Sequence, residues 1–238
     1  ALITIKWTLV VILFLILLAS LFFFQIKKQQ SEYHKNELQV WASMKEGITY
    51  IYRTKEILGA LCLDMFAVLF GGAVAMIPVF ASDILKVGAD GFGLLNAASD
   101  IGSMMIIVTL SFIPLRKNQG KILIGVVAGF GLCIIGFGLS KLYWLSFLFL
   151  MLSGIFDGIS VVIRGTIVQL KTPDHIRGRV MSANSIFIMS SNEMGQFESG
   201  VAAKLLGVVR SVVFGGTMTV LIALFVGKFV PKLRKMEY

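Results

Sequence analysis

Long apolar runs separated by short polar stretches fill most of the chain. They span roughly 3–26, 57–81, 91–114, 122–140, 142–168, 180–203 and 211–230. About 20 apolar residues cross a bilayer core as a helix, so each run is long enough to do so. Backbone groups in hydrocarbon must bond within their own segment, which predicts helices throughout. A membrane barrel would show strands of about ten residues alternating in polarity, and these runs are continuous. The 180–203 run is the most polar, holding Asn184, Asn192, Glu193, Gln196 and Glu198. The first run is not a secretory signal, which carries its positive charge ahead of the apolar core and small residues behind it. Here Lys27 and Lys28 follow the core, and Phe22, Phe23 and Phe24 occupy the small-residue positions.

Residues 27–56 form the one long polar stretch. Within it Leu38, Trp41, Met44, Ile48 and Tyr52 recur three or four apart, opposite Glu37, Lys45, Glu46 and Arg53. That spacing predicts an amphipathic helix. It either lies on the membrane surface or packs against the ends of a helix bundle. The expected organisation is a membrane helix at 1–26, a cytoplasmic connector at 27–56 and a six-span domain at 57–238.

Composition agrees with a bilayer environment. Of 238 residues, 57% are hydrophobic and 15% charged, with mean hydropathy +0.87. A soluble globule needs far more polar surface, with charged residues near 25%. Net charge is +9, but the basic residues sit between apolar runs rather than along one face, so no nucleic-acid partner is expected. Sixteen of the 22 Lys and Arg fall in 27–56 and in alternate connections after it, five on the opposite side, and Arg164 within a span. Positive charge marks the cytoplasmic side, which places the amino terminus outside and the carboxyl terminus in the cytoplasm. Cys62 and Cys133 both lie in apolar runs and read as free buried thiols. No P-loop, GxSxG or pair of His at helical spacing is present, so neither an enzyme, a cofactor nor a metal is expected.

Six ionisable residues sit well inside spans: Asp64, Asp100, Asp157, Arg164, Glu193 and Glu198. Each costs roughly 2.5–3.5 kcal/mol at mid-bilayer, so they are expected to face the bundle interior or a wet cavity. Asp157 and Arg164 are two turns apart on one helix and share a face. Asp100 has Asn96, Ser99 and Ser103 as neighbours, which suggests a water-lined wall. The structural reading pairs Arg164 with Asp157 or a glutamate, while Asp64 and Glu198 suit a proton or substrate pathway. Glycines four apart, Gly125 with Gly129 and Gly154 with Gly158, point to close helix packing. Gly71, Gly72 and Pro78 predict a bend in the 57–81 span.

The segments LKTPDHIRGRVMSANSIFI (170–188), SNEMGQFESG (191–200) and LGALCLDMFAVLFGGA (58–73) together resemble the major facilitator superfamily. The likeness is to bacterial exporters related to the enterobactin exporter and to macrolide and multidrug efflux proteins, and it runs from about Glu46 to the end. It implies an all-α membrane fold: the six-helix carboxyl-terminal half of a twelve-helix transporter, a 3+3 inverted repeat, preceded by one further helix. The chain opens at Ala1 within an apolar run, so a missing amino-terminal half is expected. The resemblance also implies a bacterial inner-membrane protein whose partners are the lipid bilayer, a small-molecule substrate and protons. In the 170–188 loop Thr172 and Pro173 are placed to open a helix. The resemblance implies that Asp174, Arg177 and Arg179 form a conformational latch; the alternative is a solvated loop carrying the positive charge of the cytoplasmic side. The corresponding loop PLRKNQGK (114–121) lacks the acidic residue usual in the superfamily, and Gln196 stands where relatives often have Glu. A membrane scaffold or a half-size transporter acting as a homodimer are the rival readings.

Overall fold

The computed structural model describes residues 2–23, 37–113, 115, 117–234 and 236–237. Connector residues 24–36 and Arg116 lie outside them. The described residues are almost wholly helical and include no strand. The chain divides into two units, Ala1–Gln39 and Val40–Tyr238.

The first unit holds α1 (Leu2–Phe23). It is apolar round its whole circumference, and its described side chains from Leu9 to Phe22 are all exposed. At 1.5 Å per residue its 22 residues reach about 33 Å, close to the hydrocarbon thickness.

The second unit takes in most of α2 (Glu37–Arg53) and then α3 (Lys55–Phe70). Helix α3 stops where Gly71 and Gly72 interrupt the apolar run. A 3₁₀ turn (Ala73–Met76), the short turn α4 (Ile77–Val79) with Pro78, and a π-helical turn (Phe80–Ile84) complete the span. The bend expected at these residues is therefore a full break of the helix. A Cβ on Gly72 would lie 2.7 Å from Ser199 Oγ, so a side chain does not fit at the break. The remaining elements are α5 (Ala89–Phe112), α6 (Gln119–Leu139), α7 (Tyr143–Lys171), α8 (Arg177–Leu206), α9 (Val208–Phe229) and α10 (Pro231–Arg234).

Among the described residues, five segments are long and apolar enough to cross a membrane: Lys55–Ile84, α5, α6, α7 and α9. Helix α8 is the longest at 30 residues, but its polar side chains keep it out of that group.

The packing has a twofold character. Helix α5 packs on α7 as α8 packs on α3, α6 on α7 as α9 on α3, and α6 packs on α9. Exchanging the triplet α3, α5, α6 for α7, α8, α9 preserves these pairings, as two three-helix repeats require. Small residues sit at each contact. A Cβ on Gly154 would run into the Ser99 carbonyl and one on Gly102 into that of Met151, where α5 meets α7. On the α3–α8 side a Cβ on Gly195 would lie 2.7 Å from Val68 O. Where α6 crosses α9, Gly131 and Gly216 each face the other's carbonyl. Gly125, by contrast, faces open space.

Two apolar clusters hold the ends. One joins Ile51, Leu61, Leu123, Ile167, Val180 and Leu233; the other joins Ile77, Phe80, Leu95, Phe137 and Leu150. Phe80 and Phe137 stack with ring centroids 4.5 Å apart. Cys133 is buried and Cys62 half-buried, both as free thiols.

Helix α2 packs against the end of the bundle that carries the α7–α8 connection. Its contact face is rotated from the expected stripe. Gly47 and Ile51 are buried, whereas Trp41 is 76% and Tyr52 59% exposed. The lack of a side chain at Gly47 sets the rotation, since a Cβ there would come within 2.6 Å of Arg179 O.

Candidate functional site

Asp64 lies on α3 and Arg164 on α7, and both are buried at about 5% exposure. The Arg164 guanidinium donates from Nη1 to Asp64 Oδ2, tying the first helix of one triplet to the first helix of the other. Its Nη2 lies 3.9 Å from Asp157 Oδ1, on the same face of α7 two turns away. Its Nε donates to Ser160 Oγ at 3.2 Å and to Ser160 O at 3.3 Å. Asp157 is midway along α7, fourteen residues from each end, and its side chain is 43% exposed. A small cavity of about 10 Å³ runs beside the group, lined by Asp64, Phe130, Phe156, Asp157 and Ser160. That is close to the least volume that holds one water.

Two carboxylates share one guanidinium. With both ionised the group keeps one uncompensated negative charge in a low-dielectric setting, where an unpaired charge is expensive. A proton, or a cation reaching the exposed side of Asp157, balances it. Among the described residues no three His, Cys, Asp or Glu side chains group as metal ligands.

The six ionisable residues do not converge on one place. Asp64, Asp157 and Arg164 do. Arg164 pairs with Asp64 as well as lying near Asp157, because α3 and α7 pack closely enough for it to reach across. Asp100 and Asn96 are on the exposed face of α5, apart from the triad. Ser103 instead donates to Gly154 O at 2.8 Å as part of helix packing. Glu193 is exposed on α8, and Glu198 is half-buried on the same helix, apart from the triad.

Asp174, Arg177 and Arg179 lie at the end of the bundle that carries the α7–α8 connection. Arg177 pairs with Asp174 and directs Nη2 at the carbonyls of Gln169 and Thr172, each 3.5 Å away, at the negative end of α7. Arg179 pairs with Glu46 on α2, and the Tyr50 hydroxyl donates to Lys171 O. Thr172 does not open α8. Pro173 is extended, a 3₁₀ turn (Asp174–Ile176) follows, and α8 starts at Arg177, leaving the buried Thr172 Oγ1 without a hydrogen-bond partner. Ser160, Glu46 and Tyr50 were not expected at either place. Ser160 carries a usable signal, being one helical turn from Arg164; the α2 contacts are long-range and carry none.

A family model described as transmembrane secretion effector matches residues 3–238. The chain belongs to this family. It is of the major facilitator type, so the protein is a multi-pass membrane protein of a transporter family rather than an enzyme family. No curated protein and no solved structure matches the chain significantly. In this transporter the ion triad joins two helices that occupy equivalent places in the paired triplets.

Proposed function

We propose that this chain supplies the carboxyl-terminal six-helix half of a secondary transporter, with α1 as the last helix of the preceding half. The whole protein would export hydrophobic or amphiphilic small molecules, or siderophores, in exchange for protons by alternating access. The observation that supports this most is the Asp64–Arg164–Asp157 triad: an odd negative charge between the leading helices of two repeats, one carboxylate buried and the other half-open. Substrate sites in such transporters lie near the bilayer midplane at the repeat interface. Taking up a proton at either aspartate frees Arg164 to favour the other, which gives α3 and α7 two stable relations. In this reading Asp174, Arg177 and Arg179 latch one access state at the cytoplasmic face of the bacterial inner membrane, where Glu46 pairs with Arg179.

The test is flux in proteoliposomes containing the full protein, with rhodamine 6G, a macrolide and a catechol siderophore as probes. Uphill movement of at least one probe, driven by a pH gradient and abolished by nigericin, is the expected result. Absence of both gradient-driven flux and exchange for all three would favour a scaffold. The mass of this chain in detergent separates a homodimeric half-transporter from a half that needs another partner.

A further inference from the structure

Helix α2 has an outer flank that the bundle leaves uncovered. Trp41 and Tyr52 are three helical turns apart, so they stand within about 20° of each other round the helix, with Lys45 beside them. All three are exposed, and neither aromatic ring hydrogen-bonds to or stacks on a described residue. The buried Ile51 lies about a quarter-turn round from them. The helix is held at the level where the bundle helices end. Only Thr54 separates it from α3, Tyr50 reaches Lys171 at the last residue of α7, and Gly47 lies against Arg179 in the first turn of α8. Trp41 is about 9 Å beyond Gly47 along the axis. The flank therefore stands at the bilayer surface rather than out in the water. Its charge is one-sided. Lys45, Arg53, Lys55 and Lys171 are exposed and make no ion pair with a described residue. Glu46 is taken up by Arg179, and Glu56 is half-buried in α3.

We propose that this flank docks on an anionic phospholipid surface, with Trp41 and Tyr52 seated among the head groups and the four basic side chains against their phosphates. An aromatic ring with one polar atom suits the water–lipid boundary, where carbon meets acyl chain and the indole N–H or hydroxyl meets the head group. Lys and Arg at that level are drawn by negative lipid charge. A zwitterionic surface would take the rings but leave the four cations unmatched. A soluble acidic partner would match the charge but has to displace the bilayer alongside. The proposal rests on the chain being a membrane protein, not on its moving any substrate.

Fluorescence of Trp41 tests it. The other tryptophans are Trp7 and Trp144, both exposed, and Trp7→Phe/Trp144→Phe leaves Trp41 as the sole tryptophan emitter. The purified protein is placed in nanodiscs of phosphatidylcholine with or without phosphatidylglycerol. It is quenched by acrylamide from the water or by bromine carried high on the acyl chains. With phosphatidylglycerol present, bromolipid is expected to quench Trp41, and acrylamide to quench it at least twofold less than without. Lys45→Gln/Arg53→Gln is expected to cut that lipid dependence at least by half while leaving the unfolding temperature unchanged, since both side chains are exposed. Equal acrylamide quenching in the two lipids, a comparison that needs no charge substitution, would overturn the proposal. So would a lipid dependence undiminished in the double variant. Shielding of Trp41 from both quenchers would also overturn it, because protein rather than lipid would then cover the flank. A failed flux assay leaves this result intact.

Discussion

Arg164→Met is expected to cost about 3–5 kcal/mol of stability, the usual penalty for removing one partner of a buried ion pair. The methionine fills much of the volume of the arginine stem, so the loss is electrostatic rather than a cavity. It leaves Asp64, 8% exposed at its side chain, with no cation, beside the half-exposed Asp157. Adding Asp64→Asn is expected to recover most of the stability, since a neutral pair in place of an ionic one often costs little. It is not expected to recover transport. Thermal unfolding in detergent reports the first effect, using a thiol-reactive dye that the buried Cys133 meets only on unfolding. If the single and double variants melt together at the wild-type temperature, the triad holds nothing.

Gly154→Ala is expected to have the second large effect. Its new Cβ would run into the backbone carbonyl of Ser99, and neither α5 nor α7 has a flexible side chain there to move aside. Overpacking costs about 1–3 kcal/mol even where side chains yield. Gly125→Ala is the matched control. Nothing lies within 4 Å of its Cβ, so the substitution is expected to be neutral or to gain up to about 1 kcal/mol from helix propensity. The same unfolding measurement compares them. Equal losses at both positions would show that α5 and α7 do not meet through Gly154.

These two positions also show how far the sequence speaks. The spans are legible because hydrocarbon solvent demands long apolar runs, and the edges of α5, α6, α7 and α9 fall close to where those runs end. Glycine spacing marks Gly125 and Gly154 alike, yet only one faces a neighbour. Spacing reports that a helix has a smooth strip, not which helix lies against it. Asp157 and Arg164 share a face because they share a helix, and periodicity suffices for that. Asp64 joins them across roughly a hundred residues of chain, a distance at which one sequence carries no pairing signal. The same holds for α2, whose apolar stripe is plain but whose packing face follows from a missing side chain at Gly47.

Proton movement accompanying transport tests the role of the triad most directly. The full protein is reconstituted with pyranine inside the vesicles, and substrate that moves in the flux assay is added outside. The wild-type protein is expected to change luminal pH in step with substrate, while Asp64→Asn/Asp157→Asn carries no protons with it. A doubly neutralised protein that still moves protons with substrate at the wild-type rate would contradict the assignment of coupling to this buried group.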